Sequence, residues 1–233
     1  MIKEVIILAG GLGTRLRTAV PDLPKSMAPV AGKPFLYHVI SFLKKQGIER
    51  YIFSLGYMHE TVEKYVTENF PKLDVRYSVE HEPLGTGGAI RLACKMVRDP
   101  NVLVVNGDTL FAIDVPALAT FHEQHQSACT LALKPMQDFD RYGVVEINKD
   151  GYITSFKEKK FYETGLINGG VYALNILALQ KLDLPVKFSF ETDYLEKYFG
   201  NQRMTGMVQD EYFIDIGIPE DFERANLELV AGV

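Results

Sequence analysis

What most limits the folds open to this chain is the alternation, through its first half, of short apolar runs with amphipathic segments of helical period. Residues 5–8 (Val-Ile-Ile-Leu) and 102–105 (Val-Leu-Val-Val) are continuous apolar runs, the pattern of strands covered on both faces. Between them, residues 35–46 place Phe35, Leu36, Val39, Ile40 and Leu43 on one helical stripe, which Gly47 ends. Residues 51–55 then read as a strand, 59–70 as a helix, 75–79 as a strand, and a further helix starts near Thr86. This βαβ progression predicts an α/β fold with a doubly wound, mostly parallel, Rossmann-like sheet and helices on both faces.

Beyond about residue 128 the texture changes. Residues 130–134, 143–147, 152–157 and 170–174 are strand-like, with Asp150 and Gly151 as turn residues, and they predict a small mixed β region. Residues 189–199 and 219–229 read as helices, the second opened by Pro219 with Glu220 and Asp221 in its first turn. No linker divides the chain. Residues 1–233 are expected to form a single domain with two halves, about 1–127 and about 128–233.

The chain has 233 residues and a net charge of −5, with a pI near 5.6. That balance argues against nucleic acid or a membrane surface as partner, since either would call for a basic face. Cys94 and Cys129 lie far apart without metal-ligand spacing, so they read as buried thiols. No basic segment leads into a long apolar stretch, and no run reaches membrane-spanning length. A soluble, cytoplasmic protein is expected.

The first apolar run empties into Ala9-Gly10-Gly11-Leu12-Gly13-Thr14-Arg15, and Lys25 follows inside Pro24-Lys25-Ser26-Met27. Glycines let backbone N–H groups converge on an oxyanion, Arg15 offers a forked contact and Lys25 a point charge. The combination suits the phosphates of a nucleotide. It is not a P-loop, because Gly13 is followed by Thr14-Arg15 instead of Lys and Ser or Thr. Nor is it the dinucleotide fingerprint, because the sixth place counted from Gly11 is Leu16.

The second apolar run leads into Asn106-Gly107-Asp108, which puts a carboxylate past the carboxyl end of a buried parallel strand, where open α/β sheets bind ligands. Asp215, within Phe213-Ile214-Asp215-Ile216-Gly217, is a second acid between apolar residues and a glycine. Two such oxygen ligands from separate segments, completed by substrate phosphates, describe a Mg²⁺ site. Asp108 equally fits an ordinary turn aspartate, and Asp215 a helix cap ahead of Pro219.

Taken in order, these motifs resemble the sugar-1-phosphate nucleotidylyltransferases. Further ones are Glu82-Pro83-Leu84-Gly85-Thr86-Gly87-Gly88-Ala89, Arg141-Tyr142-Gly143-Val144-Val145, Phe156-Lys157-Glu158-Lys159 and Asn168-Gly169-Gly170-Val171-Tyr172. The set spans almost the whole chain. The resemblance implies a doubly wound nucleotide-binding core and attack of a sugar 1-phosphate on the α-phosphorus of a nucleoside triphosphate, with Mg²⁺ as cofactor. It implies catalytic roles for Arg15, Lys25 and Asp108, and a metal held by Asp108 and Asp215. Leu8, Ala9, Gly10, Gly11, Gly13, Thr14, Arg15, Glu80, Pro83, Gly85 and Thr86 would hold the nucleotide. Gly143, Glu158, Lys159, Asn168, Gly169 and Glu191 would hold the sugar phosphate, which makes residues beyond about 128 the sugar-phosphate half.

Gly85 is expected to allow close approach of the base. Glu80 could accept the paired N–H donors of guanine, or be a solvated acid at a strand end. Glu191 could accept from sugar hydroxyls, or be an exposed acid in a first helical turn. The whole-sequence likeness is to short bacterial members that join GTP to D-glycero-D-manno-heptose 1-phosphate, and the carboxyl-terminal β-helix of the mannose and ADP-glucose relatives is not expected. Transfer from UTP, CTP or dTTP to another sugar phosphate is the alternative within the family, and a nucleotide-sugar sensor the alternative outside it. The sequence allows a homodimer without requiring one.

Overall fold

The computed structural model describes residues 1–11 and 23–231. Strands β1 (Glu4–Leu8), β4 (Arg50–Leu55), β5 (Asp74–Val79) and β6 (Asn101–Asn106) form the parallel block in the order β5-β4-β1-β6. Between β1 and β4 come a 3₁₀ turn (Lys25–Met27), a two-residue hairpin of β2 (Pro29–Val30) and β3 (Lys33–Pro34), and helix α1 (Phe35–Lys45). Ala31 and Gly32 both have positive φ, as a tight hairpin of this length requires. Helices α2 (His59–Asn69) and α3 (Gly85–Ala93) follow β4 and β5.

The continuous apolar runs behave as expected of doubly covered strands. Val5, Ile6 and Ile7 are all fully buried, and alternate residues serve opposite faces. Val5, Ile7, Leu103 and Val105 join the core under α1 and α2, whereas Ile6, Val102 and Val104 join the core under α3. Each such side chain contributes about 1.5–3 kcal/mol by leaving water.

The second half joins the same sheet. After β7 (Thr109–Phe111) and α4 (Val115–Gln124) come β8 (Cys129–Phe139), β9 (Val144–Ile147), β10 (Ile153–Lys157) and β11 (Tyr162–Asn175). β11 pairs antiparallel with β6 through residues 171–175, with β8 along most of its length and with β9 at Ile167. Helix α5 (Ile176–Gln180) leads to a wide π turn (Phe190–Leu195), α6 (Glu196–Tyr198) and β12 (Met204–Val208), which lies parallel to β8. β13 (Phe213–Asp215) and α7 (Pro219–Glu228) complete the described chain. Among the described residues this makes a nine-stranded sheet. The mixed β region is therefore continuous with the parallel block, and β9 and β10 branch from it as an antiparallel flap.

Two expectations are corrected in detail. Residues 189–199 do not form one regular helix, because Phe190–Leu195 winds as a π turn before α6. Asp215 is not a helix cap: it ends β13, and Ile218 occupies the cap position of α7 without a side-chain bond.

Candidate active site

The carboxyl ends of β1, β4, β5 and β6 open onto a cleft of about 950 Å³. The turn after β6 is set flush against the end of β1, with the Gly107 N–H donating to Leu8 O at 2.9 Å. That contact brings Asp108 to the cleft. Asp215 arrives from the far end of the chain because β13 pairs antiparallel with β7, setting Asp215 opposite Thr109. The Ile216 N–H then donates to Asp108 O at 3.1 Å.

Lys25 stands between the two acids, with Nζ 2.5 Å from Asp108 Oδ2 and 3.6 Å from Asp215 Oδ1. The Gly217 N–H donates to Asp215 Oδ1 at 2.8 Å, and Tyr142 Oη donates to Asp215 Oδ2 at 3.4 Å. Burial, and next the Asp108 charge, push the Asp215 carboxyl above its usual range, against the pull of Lys25, the Gly217 N–H and Arg141. One lysine thus faces two carboxylates that raise each other's energy. A further cation between them would relieve that repulsion, so the donor set fits a divalent ion of the Mg²⁺ type. No group of three or more His, Cys, Asp or Glu side chains gathers for a metal among the described residues, and a Mg²⁺ shared with substrate phosphates needs none.

Leu8, Ala9, Gly10, Gly11, Glu80, Pro83, Gly85 and Thr86 also line the cleft. Glu80 Oε2 accepts from the Leu84 N–H at 2.9 Å, stapling the turn after β5. Glu80 lies against glycine backbone: a Cβ at Gly10 would fall 2.9 Å from the Gly56 nitrogen and 3.1 Å from Glu80 Oε1. Gly85 also admits a neighbouring segment of the chain. Its φ is +70°, and a Cβ there would meet Phe188 O at 2.5 Å, so the close approach it permits is to the segment before the π turn.

That segment is bonded to the turn after β5 and to the start of α3. The Phe188 N–H donates to Leu84 O, the Gly87 N–H to Phe188 O, and the Phe190 N–H to Thr86 Oγ1 at 2.9 Å. Thr86 therefore anchors the turn that carries Glu191 into the cleft. This tie has no local pattern in the sequence. His59, another cleft residue not expected from the sequence, is held by Glu63 at 2.8 Å.

Of the residues expected for a sugar phosphate, only Glu191 lines the cleft, and Gly143, Glu158, Lys159, Asn168 and Gly169 do not. Gly143 and Gly169 are required by packing, since a Cβ would meet Lys157 O at 2.4 Å and the Phe111 ring at 2.3 Å. Asn168 donates to Tyr172 Oη at 2.9 Å, and Lys159 is exposed in the turn between β10 and β11. Glu158 and Glu191 both face Glu196, whose carboxyl is raised by burial and then by their charges. Gly13, Thr14 and Arg15 lie outside the described residues.

The Nucleotidyl transferase family model matches residues 4–232. The D-glycero-alpha-D-manno-heptose 1-phosphate guanylyltransferase of Aneurinibacillus thermoaerophilus is 48% identical over 226 residues, covering 97% of this chain and 98% of that protein. The protein of the same name from Campylobacter jejuni is 44% identical, covering 94% and 96%. HddC from Yersinia pseudotuberculosis, whose crystal structure was determined in complex with GMP-PN, gives a TM-score of 0.88 at 38% identity over 97% of this chain and 99% of that one. With a family model matched over nearly its whole length and relatives of this identity and coverage, the chain belongs to the nucleotidyl transferase family.

Proposed function

We propose that the protein transfers GMP from GTP to D-glycero-α-D-manno-heptose 1-phosphate, giving GDP-heptose and pyrophosphate. The observation that carries this reading is the 48% identity, over nearly the full length of both chains, to a guanylyltransferase of that sugar phosphate. The cleft supplies suitable chemistry. A phosphate oxygen of the sugar 1-phosphate is already an anionic nucleophile, so no general base is required. It attacks the α-phosphorus in line, a new P–O bond forms, and the bond to the bridging oxygen breaks with its electrons leaving on pyrophosphate.

The chain's contribution is alignment and charge. Lys25 offsets negative charge across the α-phosphate and the leaving group. Leu8, Ala9, Gly10, Gly11, Glu80, Pro83, Gly85 and Thr86 hold the nucleotide, joined on sequence grounds by Gly13, Thr14 and Arg15. Asp108 and Asp215 would hold Mg²⁺, which when bound would neutralise phosphate charge. The sugar phosphate enters beside Glu191, with Gly143, Glu158, Lys159, Asn168 and Gly169 assigned to it by resemblance alone. In this reading about 1–127 is the nucleotide half and about 128–233 the sugar-phosphate half, with Asp215 and Glu191 reaching across. We place the enzyme in the cytoplasm, where nucleoside triphosphates are supplied; no helix of the described residues is long and apolar enough to cross a membrane.

The test is pyrophosphate release over a grid of four nucleoside triphosphates and several sugar 1-phosphates with Mg²⁺. The pair of GTP and the heptose 1-phosphate should give the highest kcat/KM. Release only with UTP and glucose 1-phosphate would overturn the substrate pair and leave the chemistry standing.

A further inference from the structure

Asp215 ends β13, a strand of three residues whose one sheet partner among the described residues is the equally short β7. Such a pairing places the backbone of Asp215 but leaves the plane of its carboxylate to other contacts. The Gly217 N–H holds Oδ1 at 2.8 Å. Oδ2 takes its partner from a distant segment, the Tyr142 hydroxyl at 3.4 Å. Asp215 and Gly217 line the cleft and Tyr142 does not, so the hydroxyl reaches the carboxylate from the protein side and leaves the cleft side open.

Tyr142, in the turn between β8 and β9, is itself held against the two elements that flank Asp215. Its ring meets the Phe213 ring edge-on, with centroids 6.1 Å apart, and Phe213 meets Phe111 edge-on at 5.6 Å. Phe213 and Phe111 are cross-strand partners in the β13–β7 pair, so the tyrosine packs on the strand that carries Asp215. The Arg141 guanidinium lies 5.5 Å from the centroid of the Tyr142 ring and pairs with Asp221 in the first turn of α7. Asp221 Oδ1 is also 3.4 Å from Arg224. The turn is thus fastened to β13 before Asp215 and to α7 after it. A carboxylate free to rotate would swing toward Lys25, 3.6 Å away, and partners behind a metal ligand are what keep such a group aimed.

We propose that Tyr142 is a positioning residue for the divalent ion: its hydroxyl sets the plane of the Asp215 carboxylate so that Asp215 and Asp108 offer oxygens to one cation, and the Arg141–Asp221 pair holds the tyrosine in place. The inference rests on Asp108 and Asp215 being the Mg²⁺ ligands.

The experiment is Y142F, which keeps the ring on Phe213 and removes only the hydroxyl. GTP affinity is measured by calorimetric titration in millimolar Mg²⁺ and again in EDTA, for the variant and the unaltered protein, with Tm of each free protein alongside. The gain in affinity that Mg²⁺ brings should shrink by about tenfold in the variant, while affinity in EDTA and Tm stay as they were. A tyrosine that only packed would lower Tm and leave that gain unchanged; one that touched the nucleotide would weaken binding equally with and without Mg²⁺. Either result would overturn the proposal. If Mg²⁺ brings the unaltered protein no gain, the metal reading of Asp108 and Asp215 fails first and the role of Tyr142 falls with it.

Discussion

At the amino ends of β1, β4 and β5, the first residues Glu4, Arg50 and Asp74 stand side by side and satisfy one another. At the carboxyl ends of the same block, Lys25 pairs with Asp108, but that one lysine must serve Asp215 as well. Arg50 lies 3.0 Å from Glu4 and 2.7 Å from Asp74, and Glu4 Oε2 also accepts from the Arg98 and Asp99 N–H groups. Next along that edge, buried His122 bonds Thr130 at 2.9 Å and Asn101 at 3.3 Å, and a hydroxyl chain runs from Thr130 through Thr205 to Ser127. Similar residue types at the other end leave one lysine facing two acids and a serine hydroxyl with no partner. Polar groups that complete each other hold the sheet together, whereas two acids sharing one lysine leave room for a further cation.

The largest expected effects come from breaking each end once. Arg50→Ala leaves Glu4 buried and unpaired, which should cost about 3–5 kcal/mol in denaturant unfolding, while turnover of the remaining folded protein changes little. Lys25→Ala should do the reverse, lowering turnover about a hundredfold or more in steady-state kinetics with stability nearly kept. Loss of activity without loss of stability at Arg50, or nearly unchanged turnover at Lys25, would erase the contrast.

A pH experiment sharpens it. Burial drives the His122 imidazole down to about 4 from 6.5, with the nearby Glu123 charge opposing. In that window the unfolded chain takes up a proton that the folded one refuses. Its contribution to stability is therefore full above 6.5 and shrinks as pH falls toward 4, by about 3 kcal/mol in all. Urea unfolding from pH 7 to pH 4 should show this slope, and His122→Gln should flatten it. An unchanged slope in the variant would show that His122 is not part of the paired end.

How much of this could be read in advance differs between the ends. The parallel block, the position of Asp108 and the presence of Lys25 follow from local pattern, because ligands bind where parallel strands finish. Asp215 was visible as a candidate, but its place beside Asp108 depends on β7 and β13, two three-residue strands too short to show any period. The mixed β region was legible as strands but not as part of the same sheet, since β11 changes neighbours along its fourteen residues through a register shift between Asn168 and Tyr172. Thr86 as an anchor, Ser26 as an unpartnered hydroxyl and the Glu4–Arg50–Asp74 row all depend on contacts between distant segments. No local spacing encodes those.

The smallest expected change in stability is the one that separates the two ends most cleanly. The raised Asp215 carboxyl holds its proton to higher pH in the folded chain than in the unfolded one, so between the two pKa values the folded state binds more protons and stability falls as pH rises. At neutral pH its charge therefore works against the empty fold. Asp215→Asn removes that charge, keeps an oxygen to accept from the Gly217 N–H, and leaves the Lys25–Asp108 pair intact. Tm of the ligand-free protein should rise by about 2–4 °C, on the order of 1 kcal/mol, while Mg²⁺-dependent turnover collapses. A carboxylate whose loss stabilises the protein and stops the reaction is held in place for a ligand. A fall in Tm would instead put Asp215 with Arg50 among the groups that hold the sheet together.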